Sequence, residues 1–329
     1  MGERTALVTG AAGFLGLNLV EQLLAAGWRV IALHRPSSDV TDLKRFKVEP
    51  LVGSITDRDW LFRAVPNDLD AIIHAAADKS LDIRGDAQQT DTNVGGTRNM
   101  LEIALARGTR RFVQTSSVAA FGVRHGETIS ETSATNAATN RINYSRSKWL
   151  ADEEVRRAAK AGLDTIILHP ANILGRYDAR NWATMILLVA KGKLPGISPG
   201  GGAFCDAREV AKAHIAAIDR GRSGGSYVLG GVHASYVEVA QIIQSIVGGK
   251  APRRPLPAWL MTMMGQIMPL LARVTGGHAL ITPEVAAMVN LDFRTDSRKA
   301  TSELGYQEIP LRAMIEDACS WLKAESKLP

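Results

Sequence analysis

The sequence predicts an α/β fold, a doubly wound parallel sheet to which the C-terminal part of the chain adds a smaller lobe. Three observations favour this class. The chain opens with a buried-strand pattern that breaks on glycines into a helical pattern. Apolar strand segments then alternate with helical segments, which is typical of βαβ units. Past Asn172 the alternation stops, and Gly/Pro-rich and helical segments follow.

The first strand and the turn after it carry the strongest local signal. Residues 6–8 (Ala-Leu-Val) form an apolar run, as expected for a parallel strand that is covered on both faces. Glycines follow with the spacing GxxGxxG, at Gly10, Gly13 and Gly16. A strand that breaks on glycine into a helix gathers free backbone N–H groups and the positive end of the helix dipole. The turn therefore predicts an anion site of the kind that binds a dinucleotide pyrophosphate.

The other elements follow in regular order. Strands are short apolar runs, and helices have apolar residues at helical spacing. The predicted strands are 28–33, 48–52, 69–75, 110–114 and 165–168, and the longer predicted helices are 17–26, 86–108 and 144–161. Thr56 is predicted to cap the helix after the third strand. We expect a nucleotide-binding domain over residues 1–171, with 204–232 returning to it, and a substrate lobe over 172–203 and 233–329.

Composition is that of a globular protein, with 46% hydrophobic and 22% charged residues among 329. Cys205 and Cys319 cannot form a disulfide framework, and no Cys/His cluster has zinc spacing, so no metal is expected. The chain enters its first strand at once, and a cytoplasmic location is expected. The net charge of +6 favours anionic ligands, but no basic run or aromatic-interleaved stripe indicates a nucleic-acid partner.

Three residues form a candidate catalytic group. Tyr144 and Lys148 stand four apart, on one face of a predicted helix. A nearby ammonium favours the phenolate and would lower a tyrosine pKa from about 10. Alone, this pair is a weak signal, and an exposed helix pair would be the better interpretation. Ser117, however, follows the fifth strand, which places all three at the sheet edge that carries the glycine turn. A hydroxyl, a tyrosine acid and a lysine beside a dinucleotide predict proton-coupled hydride transfer.

Several segments together resemble one enzyme family. They are the glycine turn at 9–16, Ser117, the pair Tyr144 and Lys148, and the segments 169–175 (HPANILG), 204–210 (FCDAREV), 221–230 (GRSGGSYVLG) and 303–306 (ELGY). With these motifs the chain resembles the extended short-chain dehydrogenase/reductase family, part of the NAD-dependent epimerase/dehydratase superfamily. Within it, the chain is most similar to the dihydroflavonol-4-reductase-like and 3β-hydroxysteroid-dehydrogenase-like branch. The resemblance covers nearly the whole chain and implies a Rossmann fold.

The resemblance also implies roles for individual residues. Ser117 would hydrogen-bond the substrate carbonyl, Tyr144 would donate the proton, and Lys148 would bind the nicotinamide ribose and lower the pKa of Tyr144. The residues implied to bind the cofactor, besides Tyr144 and Lys148, are Gly10, Gly13, Phe14, Leu15, Gly16, Ser54, Ile55, Ala75, Ala76, Ala77, Thr115, Pro170 and Ile173. Ser54 departs from the family, which usually has Asp there.

The end of the second strand bears on which dinucleotide binds. An acidic residue there would bind a ribose 2′-hydroxyl and repel a 2′-phosphate. This chain has His34 and Arg35 instead, and a guanidinium suits a phosphate in shape and charge. The sequence therefore favours NADP(H). The alternative is NAD(H). In that case Arg35 would not bind a phosphate, but would stack on adenine or lie in solvent.

Two departures from the sugar-nucleotide enzymes of the family narrow the range of candidate substrates. They have a Gln-x-Arg-Asp-type segment where this chain has residues 200–206 without that arginine, and an aromatic that is usually Tyr is Phe121 here. The leading hypothesis is an NADP(H)-dependent carbonyl reductase or alcohol dehydrogenase for an apolar ketone or aldehyde, including polycyclic, steroid-like ones. A nucleotide-sugar epimerase or dehydratase with tightly bound NAD is the alternative. A cofactor-sensing binding protein is a third hypothesis, disfavoured by the retained Tyr/Lys pair.

Residues 256–274 are unusually apolar. Their only charge is Arg273, and prolines, a glycine and a glutamine interrupt them, so they do not predict a membrane span. Two interpretations stay open: a core or substrate-lid helix, and an interfacial helix that makes weak, peripheral contact with a membrane surface.

The predicted helices 86–108 and 144–161 pair across dimers in similar proteins, so the resemblance implies a homodimer.

Overall fold

A seven-stranded sheet forms the centre of the structure, a computed structural model that describes residues 4–81, 83–122, 125–275 and 282–328. Seven of the strands in the described ranges form this sheet, and the others form two small sheets. In chain order the strands are β1 (Thr5–Thr9), β2 (Arg29–His34), β3 (Glu49–Val52), β4 (Ala71–His74), β5 (Arg111–Thr115), β6 (Thr128–Ile129), β7 (Thr165–Pro170), β8 (Asn172–Leu174), β9 (Gly201–Asp206), β10 (Ser226–Leu229), β11 (Val232–Ser235) and β12 (Arg294–Thr295). The sheet order is β10-β7-β5-β4-β1-β2-β3, and all neighbours are parallel. The predicted α/β class is confirmed.

Helices cover both faces of this sheet, and further helices lie outside it. The helices of the described ranges are α1 (Phe14–Ala25), α2 (Arg58–Ala64), α3 (Asp86–Thr90), α4 (Gly96–Ala106), α5 (Asn143–Lys160), α6 (Trp182–Ala190), α7 (Ala207–Arg220), α8 (Tyr236–Val247), α9 (Ala258–Thr275), α10 (Pro283–Val289), α11 (Arg298–Leu304) and α12 (Leu311–Ala324). Strand β1 shows the layering: Ala6 and Val8 pack in a cluster with Leu19 of α1, whereas Leu7 packs on the other face with Ile103 of α4. An apolar run without alternation is what burial on both faces requires.

The start of α2 differs from the prediction. Asp57, not Thr56, caps the helix, and its carboxylate accepts the N–H of Trp60 at 2.9 Å. The hydroxyl of Thr56 lies 2.8 Å from that of Ser54 instead. A carboxylate both accepts strongly and complements the positive end of the helix dipole, so the helix begins one residue later.

The predicted helix over 86–108 is interrupted. A single π-helical turn, Asp91–Gly95, separates α3 from α4. At Gly96 an added Cβ would lie 2.5 Å from Cδ1 of Ile55, so the backbone approaches the core closely here. Asn93 within the turn faces inward, and its amide bonds both the N–H and the carbonyl of Asp78. π-turns of this kind are frequent at functional sites.

A second unit lies beyond the carboxyl ends of the main strands. Its small sheet has the order β11-β9-β8, and α6, α8 and α12 enclose an apolar cluster with it. Strand β8 follows β7 after one residue, and α7, which continues β9, packs against α1 of the main layer. The chain therefore passes between the two units directly above the sheet edge.

Helices α9 and α10 pack closely against each other. At Gly265 of α9 an added Cβ would lie 2.9 Å from Cβ of Ala286 in α10. Thr282, the cap of α10, donates its hydroxyl to the carbonyl of Leu81, 3.0 Å away, in the segment that follows β4. Over the described ranges, no helix is both long and apolar enough to span a membrane.

Candidate active site

The glycine turn is packed too tightly for side chains. Gly10 has φ +68°, and an added Cβ would lie 3.0 Å from the backbone of Ala76. At Gly16 it would lie 2.1 Å from the carbonyl oxygen of Gly10. Helix α1 begins at Phe14 behind Gly13, with neither a side-chain cap nor an acidic residue in its first turn. The N–H groups of that turn can bind an anion, and the cradle fits a pyrophosphate.

The segment after β4 forms the opposite wall of this cleft. Ala75, Ala76 and Ala77 follow the strand directly, and the N–H of Ala76 donates to Oγ1 of Thr9 at 3.0 Å. The same Thr9 hydroxyl lies 2.8 Å from Nδ1 of the buried His74. The two ends of β1 and β4 are therefore held together by side-chain hydrogen bonds as well as by the sheet.

His74 continues this chain of hydrogen bonds into the protein. Its Nε2 lies 3.2 Å from Oγ1 of Thr97, which donates to the carbonyl of Asn93 at 2.7 Å. Burial, with the positive charge of Lys148, lowers the pKa of His74 to about 3. The imidazole is therefore neutral at neutral pH.

The predicted adenine-side residues are less uniform. Arg35 is exposed just after β2, and no ion pair of its guanidinium occurs among residues that the structure describes. The hydroxyl of Ser54 pairs with Thr56. Ile55 is 5% exposed and packs into the core, so its side chain does not offer a free surface to a ligand.

Ser117 and Tyr144 are in contact. Ser117 directly follows Ser116 behind β5 and caps the short 3₁₀ turn Val118–Phe121, where its Oγ accepts the N–H of Ala119 at 3.2 Å. The Ser117 hydroxyl is also near enough to the phenol of Tyr144, in the first turn of α5, to act on its pKa. The sequence placed these residues at one edge, and the fold brings their hydroxyl groups together.

Lys148 lies one turn further along α5 and is 3% exposed. Its Nζ donates to the carbonyl of Thr115, the last residue of β5, at 2.7 Å. Burial lowers the pKa of this ammonium to about 8, against the opposing charge of Asp152. Lysines in proteins are rarely buried this deeply, because burying an ammonium is costly unless a partner accepts its hydrogen bonds.

The direction of the Tyr144 pKa corrects the expectation from the resemblance. The pKa is raised above its usual value of 10.0, because burial disfavours the phenolate and the negative charge of Asp152 adds to that effect. The hydrogen bond from Ser117 acts in the opposite direction and is outweighed. Lys148 does not lower this pKa here, since its ammonium is directed to the Thr115 carbonyl.

The residues predicted to lie on the nicotinamide side are found at strand ends. Pro170 ends β7, and Ile173 lies in β8, so the two bracket the passage from the sheet to the second unit. The hydroxyl of Thr115 lies 2.8 Å from Nε2 of His214 on α7. Nδ1 of His214 lies 2.7 Å from the carbonyl of Val210, and burial lowers the pKa of this histidine to about 4.

Sequence reasoning missed three buried polar residues below this group. Asp152, on α5, bonds Ser116 and His169. One signal was available: Asp152 continues the spacing of four that joins Tyr144 to Lys148. Ser116 and His169 gave no signal of their own, because only the fold brings the ends of β5 and β7 next to α5.

Comparisons with known proteins agree with this geometry. The NAD dependent epimerase/dehydratase family matches residues 6–230. The chain is 33% identical to sterol demethylase protein B of Methylococcus capsulatus, over 97% of this chain and 98% of that protein. It is 30% identical to a putative dihydroflavonol 4-reductase of Synechocystis, over 96% and 94%. It is also 30% identical to a 3 beta-hydroxysteroid dehydrogenase/Delta 5→4-isomerase of Mycobacterium tuberculosis, over 92% and 86%.

The fold comparison gives the same result. The crystal structure of gox2253 is similar with a TM-score of 0.85 at 30% identity, and the match covers 99% of this chain and 100% of that one. The resemblance recognised in the sequence is confirmed. This chain belongs to the NAD dependent epimerase/dehydratase family, whose members are NAD(P)-dependent enzymes.

Proposed function

We propose that the protein is an NADP(H)-dependent carbonyl reductase or alcohol dehydrogenase that acts on an apolar, including polycyclic or steroid-like, ketone or aldehyde. One observation carries the proposal: Ser117, Tyr144 and Lys148 converge at the sheet edge beside the glycine turn. That arrangement offers a hydrogen-bond donor, a proton donor and a cation next to a dinucleotide cradle.

The proposed chemistry assigns one task to each side chain. The bound dinucleotide supplies or accepts the hydride. Ser117 donates a hydrogen bond to the carbonyl oxygen of the substrate, and Tyr144 gives that oxygen its proton. The raised pKa of Tyr144 keeps the phenol protonated and ready to act as an acid. Lys148 holds the ribose hydroxyls with the N–H donors of its ammonium.

The preference for NADP(H) rests on Arg35. Its exposed guanidinium lies directly after β2, where a 2′-phosphate is read in dinucleotide-binding sheets. Charge-assisted, bidentate binding of phosphate is a typical role of such an arginine. The cradle itself, including Gly10, Gly13, Phe14, Leu15, Gly16 and the wall Ala75–Ala77, would bind either dinucleotide.

The apolar substrate is supported by what surrounds Ser117. Val118, the next residue, packs in a small cluster with Ala203, Val228 and Phe293, and Phe121 packs against it. The names of two relatives, a sterol demethylase protein and a 3 beta-hydroxysteroid dehydrogenase, fit the same substrate class. We assign the substrate-binding role to residues 172–203 and 233–329, above the dinucleotide domain formed by 1–171 and 204–232.

We further propose a cytoplasmic enzyme that touches a membrane surface through residues 256–274. Trp259, Met263 and Ile267 of α9 are 67%, 40% and 44% exposed and stand four apart, on one helix face. Exposed cations precede them at Lys250, Arg253 and Arg254, and no acidic residue occurs between Glu238 and Glu284. An apolar stripe flanked by cations suits an anionic lipid surface. A homodimer is the proposed assembly.

The test is a screen for NADPH oxidation with aliphatic, aromatic and polycyclic ketones. We expect turnover with an apolar ketone, and Tyr144→Phe should lower kcat by at least about 100-fold while NADPH binding is kept. A matched control is Tyr227→Phe on β10, a tyrosine with no proposed role in the reaction. The competing epimerase or dehydratase activity would instead show tightly bound NAD and conversion of a nucleotide sugar without net NADPH consumption. Unchanged turnover of Tyr144→Phe contradicts the mechanism.

A further inference from the structure

A buried carboxylate below the candidate site has no role in the chemistry described so far. Asp152 is 1% exposed and lies on α5, four residues after Lys148 and eight after Tyr144. That spacing puts the three side chains on one face of the helix. Carboxylates are rarely buried this deeply unless a specific partner compensates the lost hydration.

The partners of Asp152 are polar and come from two strand ends. Its Oδ2 accepts the hydroxyl of Ser116 at 2.9 Å and lies 3.0 Å from Nε2 of His169, which is also 1% exposed. A carboxylate oxygen can only accept, so the imidazole carries a proton on Nε2. Phe121 covers the imidazole, with ring centroids 4.9 Å apart.

These bonds join the segments that carry the candidate catalytic group. Ser116 stands between Thr115, whose carbonyl accepts from Lys148, and Ser117, whose hydroxyl acts on the pKa of Tyr144. His169 immediately precedes Pro170 at the end of β7. Asp152 therefore fixes the ends of β5 and β7 to the face of α5.

The carboxylate also dominates the local charge. Three histidines belong to these surroundings: His74 is acted on by the charge of Lys148, His169 lies against Asp152, and His214 on α7 lies against the hydroxyl of Thr115. His74 and His214 are held neutral by burial, with pKa values of about 3 and about 4. The negative charge of Asp152 raises the pKa of Lys148 and that of Tyr144. Over the described ranges, no Lys or Arg forms an ion pair with Asp152.

We propose that Asp152 is a positioning residue that sets the protonation of the site: its carboxylate keeps Lys148 charged and Tyr144 protonated, while its bonds to Ser116 and His169 align the two strand ends. The inference concerns protonation in the free protein, and its kinetic consequence rests on the proposed reductase function. In the reducing direction both effects favour the form that donates a proton.

The first experiment needs neither substrate nor cofactor. The phenolate of Tyr144 is titrated by ultraviolet absorbance, as the difference between each protein and its Tyr144→Phe counterpart. Asp152→Asn should move the midpoint down by on the order of one pH unit, the effect of a charge removed from a partly buried site. Asp152→Glu keeps the charge and should titrate near the wild-type value. Asp152→Ser serves as a second neutral variant if the asparagine does not fold.

The control is Glu154→Gln on the same helix. Glu154 pairs with Arg98 at 2.6 Å and Arg157 at 2.8 Å, not with the site, so the Tyr144 midpoint should stay in place. An unchanged midpoint in both neutral variants overturns the proposal, as does an equal shift in Asp152→Glu.

The second experiment follows kcat for ketone reduction against pH. In Asp152→Asn the alkaline loss of activity should begin at lower pH, because both Lys148 and Tyr144 lose their protons earlier. A fall in kcat at all pH values with no displacement of the profile would indicate a structural role only and would refute the charge effect. If the wild type reduces no ketone, the proposed function fails, while the phenolate titration still decides the role of Asp152.

Discussion

The ammonium of Lys148 donates to the carbonyl of Thr115 at 2.7 Å, which anchors the middle of α5 to the end of β5. The cation is buried, and this bond replaces only part of the hydration that it loses. Lys148 is therefore expected to lower the stability of the fold, although the proposed reaction needs it, and this cost can be measured.

Lys148→Met should stabilise the fold at neutral pH. The folded pKa of about 8 lies below the unfolded value of 10.5, so the folded state binds fewer protons between the two, and the wild type gains stability as pH rises through that window. Below it the full burial cost applies. We expect Lys148→Met to raise the free energy of unfolding by about 1–3 kcal/mol at neutral pH, after the lost bond to Thr115 is counted.

Urea unfolding of both proteins at neutral pH and near the unfolded lysine pKa checks this. The advantage of the variant should shrink as pH rises. A variant that is less stable than wild type at neutral pH would show that the Thr115 bond outweighs the burial of charge.

Arg35→Ala should weaken NADPH binding about 10- to 100-fold, the loss expected for a charge-assisted bond to phosphate. NADH binding should change little, because that dinucleotide has no 2′-phosphate. The measurement is the ratio of the dissociation constants for NADPH and NADH, each determined by quenching of tryptophan fluorescence.

The matched control for that experiment is Arg63→Ala, an exposed arginine in the last turn of α2. It removes the same charge away from the carboxyl edge of the sheet. If Arg35→Ala leaves the NADPH-to-NADH ratio as it was, the assignment of NADP(H) is wrong.

Gly16→Ala should harm both folding and cofactor binding. The new Cβ would lie 2.1 Å from the carbonyl oxygen of Gly10, a backbone atom that cannot move without opening the cradle. Overpacking of this kind costs about 1–3 kcal/mol. Thermal unfolding and binding of both dinucleotides should report the loss.

Gly85→Ala is the comparison for Gly16. At Gly85 the nearest atom to an added Cβ is Oγ of Ser80 at 3.8 Å, so there is space and the change should be small. Equal melting temperatures of Gly16→Ala and Gly85→Ala would contradict the close approach at the turn.

Removing the apolar stripe of α9 should release the protein from lipid. We expect wild type to cosediment with vesicles that contain anionic phospholipid, and the double variant Trp259→Ser, Ile267→Ser to bind at least about 10-fold more weakly. High salt should weaken wild-type binding as well, because it screens Lys250, Arg253 and Arg254.

The double variant Val52→Ser, Leu105→Ser tests whether any exposed apolar residue would give the same result. These side chains are 48% and 44% exposed but lie on β3 and α4. Lipid binding should survive this change. Binding to uncharged vesicles alone, or self-association through α9 in sedimentation, would argue against the membrane contact.

The sequence was sufficient for features that depend on local spacing. The GxxGxxG turn and the pair Tyr144 and Lys148 are read from intervals of three and four residues, and the order of strands predicts that they share an edge. The homodimer and the residue roles stay predictions.

Features that depend on tertiary contacts were out of reach. Asp152 contacts Ser116 and His169, which are 36 and 17 residues away in the sequence, and no local sequence pattern predicts contacts at such separations. The expected lowering of the Tyr144 pKa was wrong for the same reason, because burial and Asp152 act through space. Asp57 displaced Thr56 as a cap because adjacent polar residues compete for one position.

The hydrogen bonds around His74 have a direction. Thr97 donates its only hydroxyl proton to the carbonyl of Asn93, so the Thr97 oxygen accepts from Nε2–H of His74. In a neutral imidazole the other nitrogen carries no proton, and Nδ1 of His74 therefore accepts from the hydroxyl of Thr9. Thr9 in turn accepts from Ala76. Every proton in this row is therefore assigned to one atom, and none can reverse without reversing the others. The buried row from Ala76 to Asn93 is therefore polarised in one direction, a permanent dipole built from neutral groups.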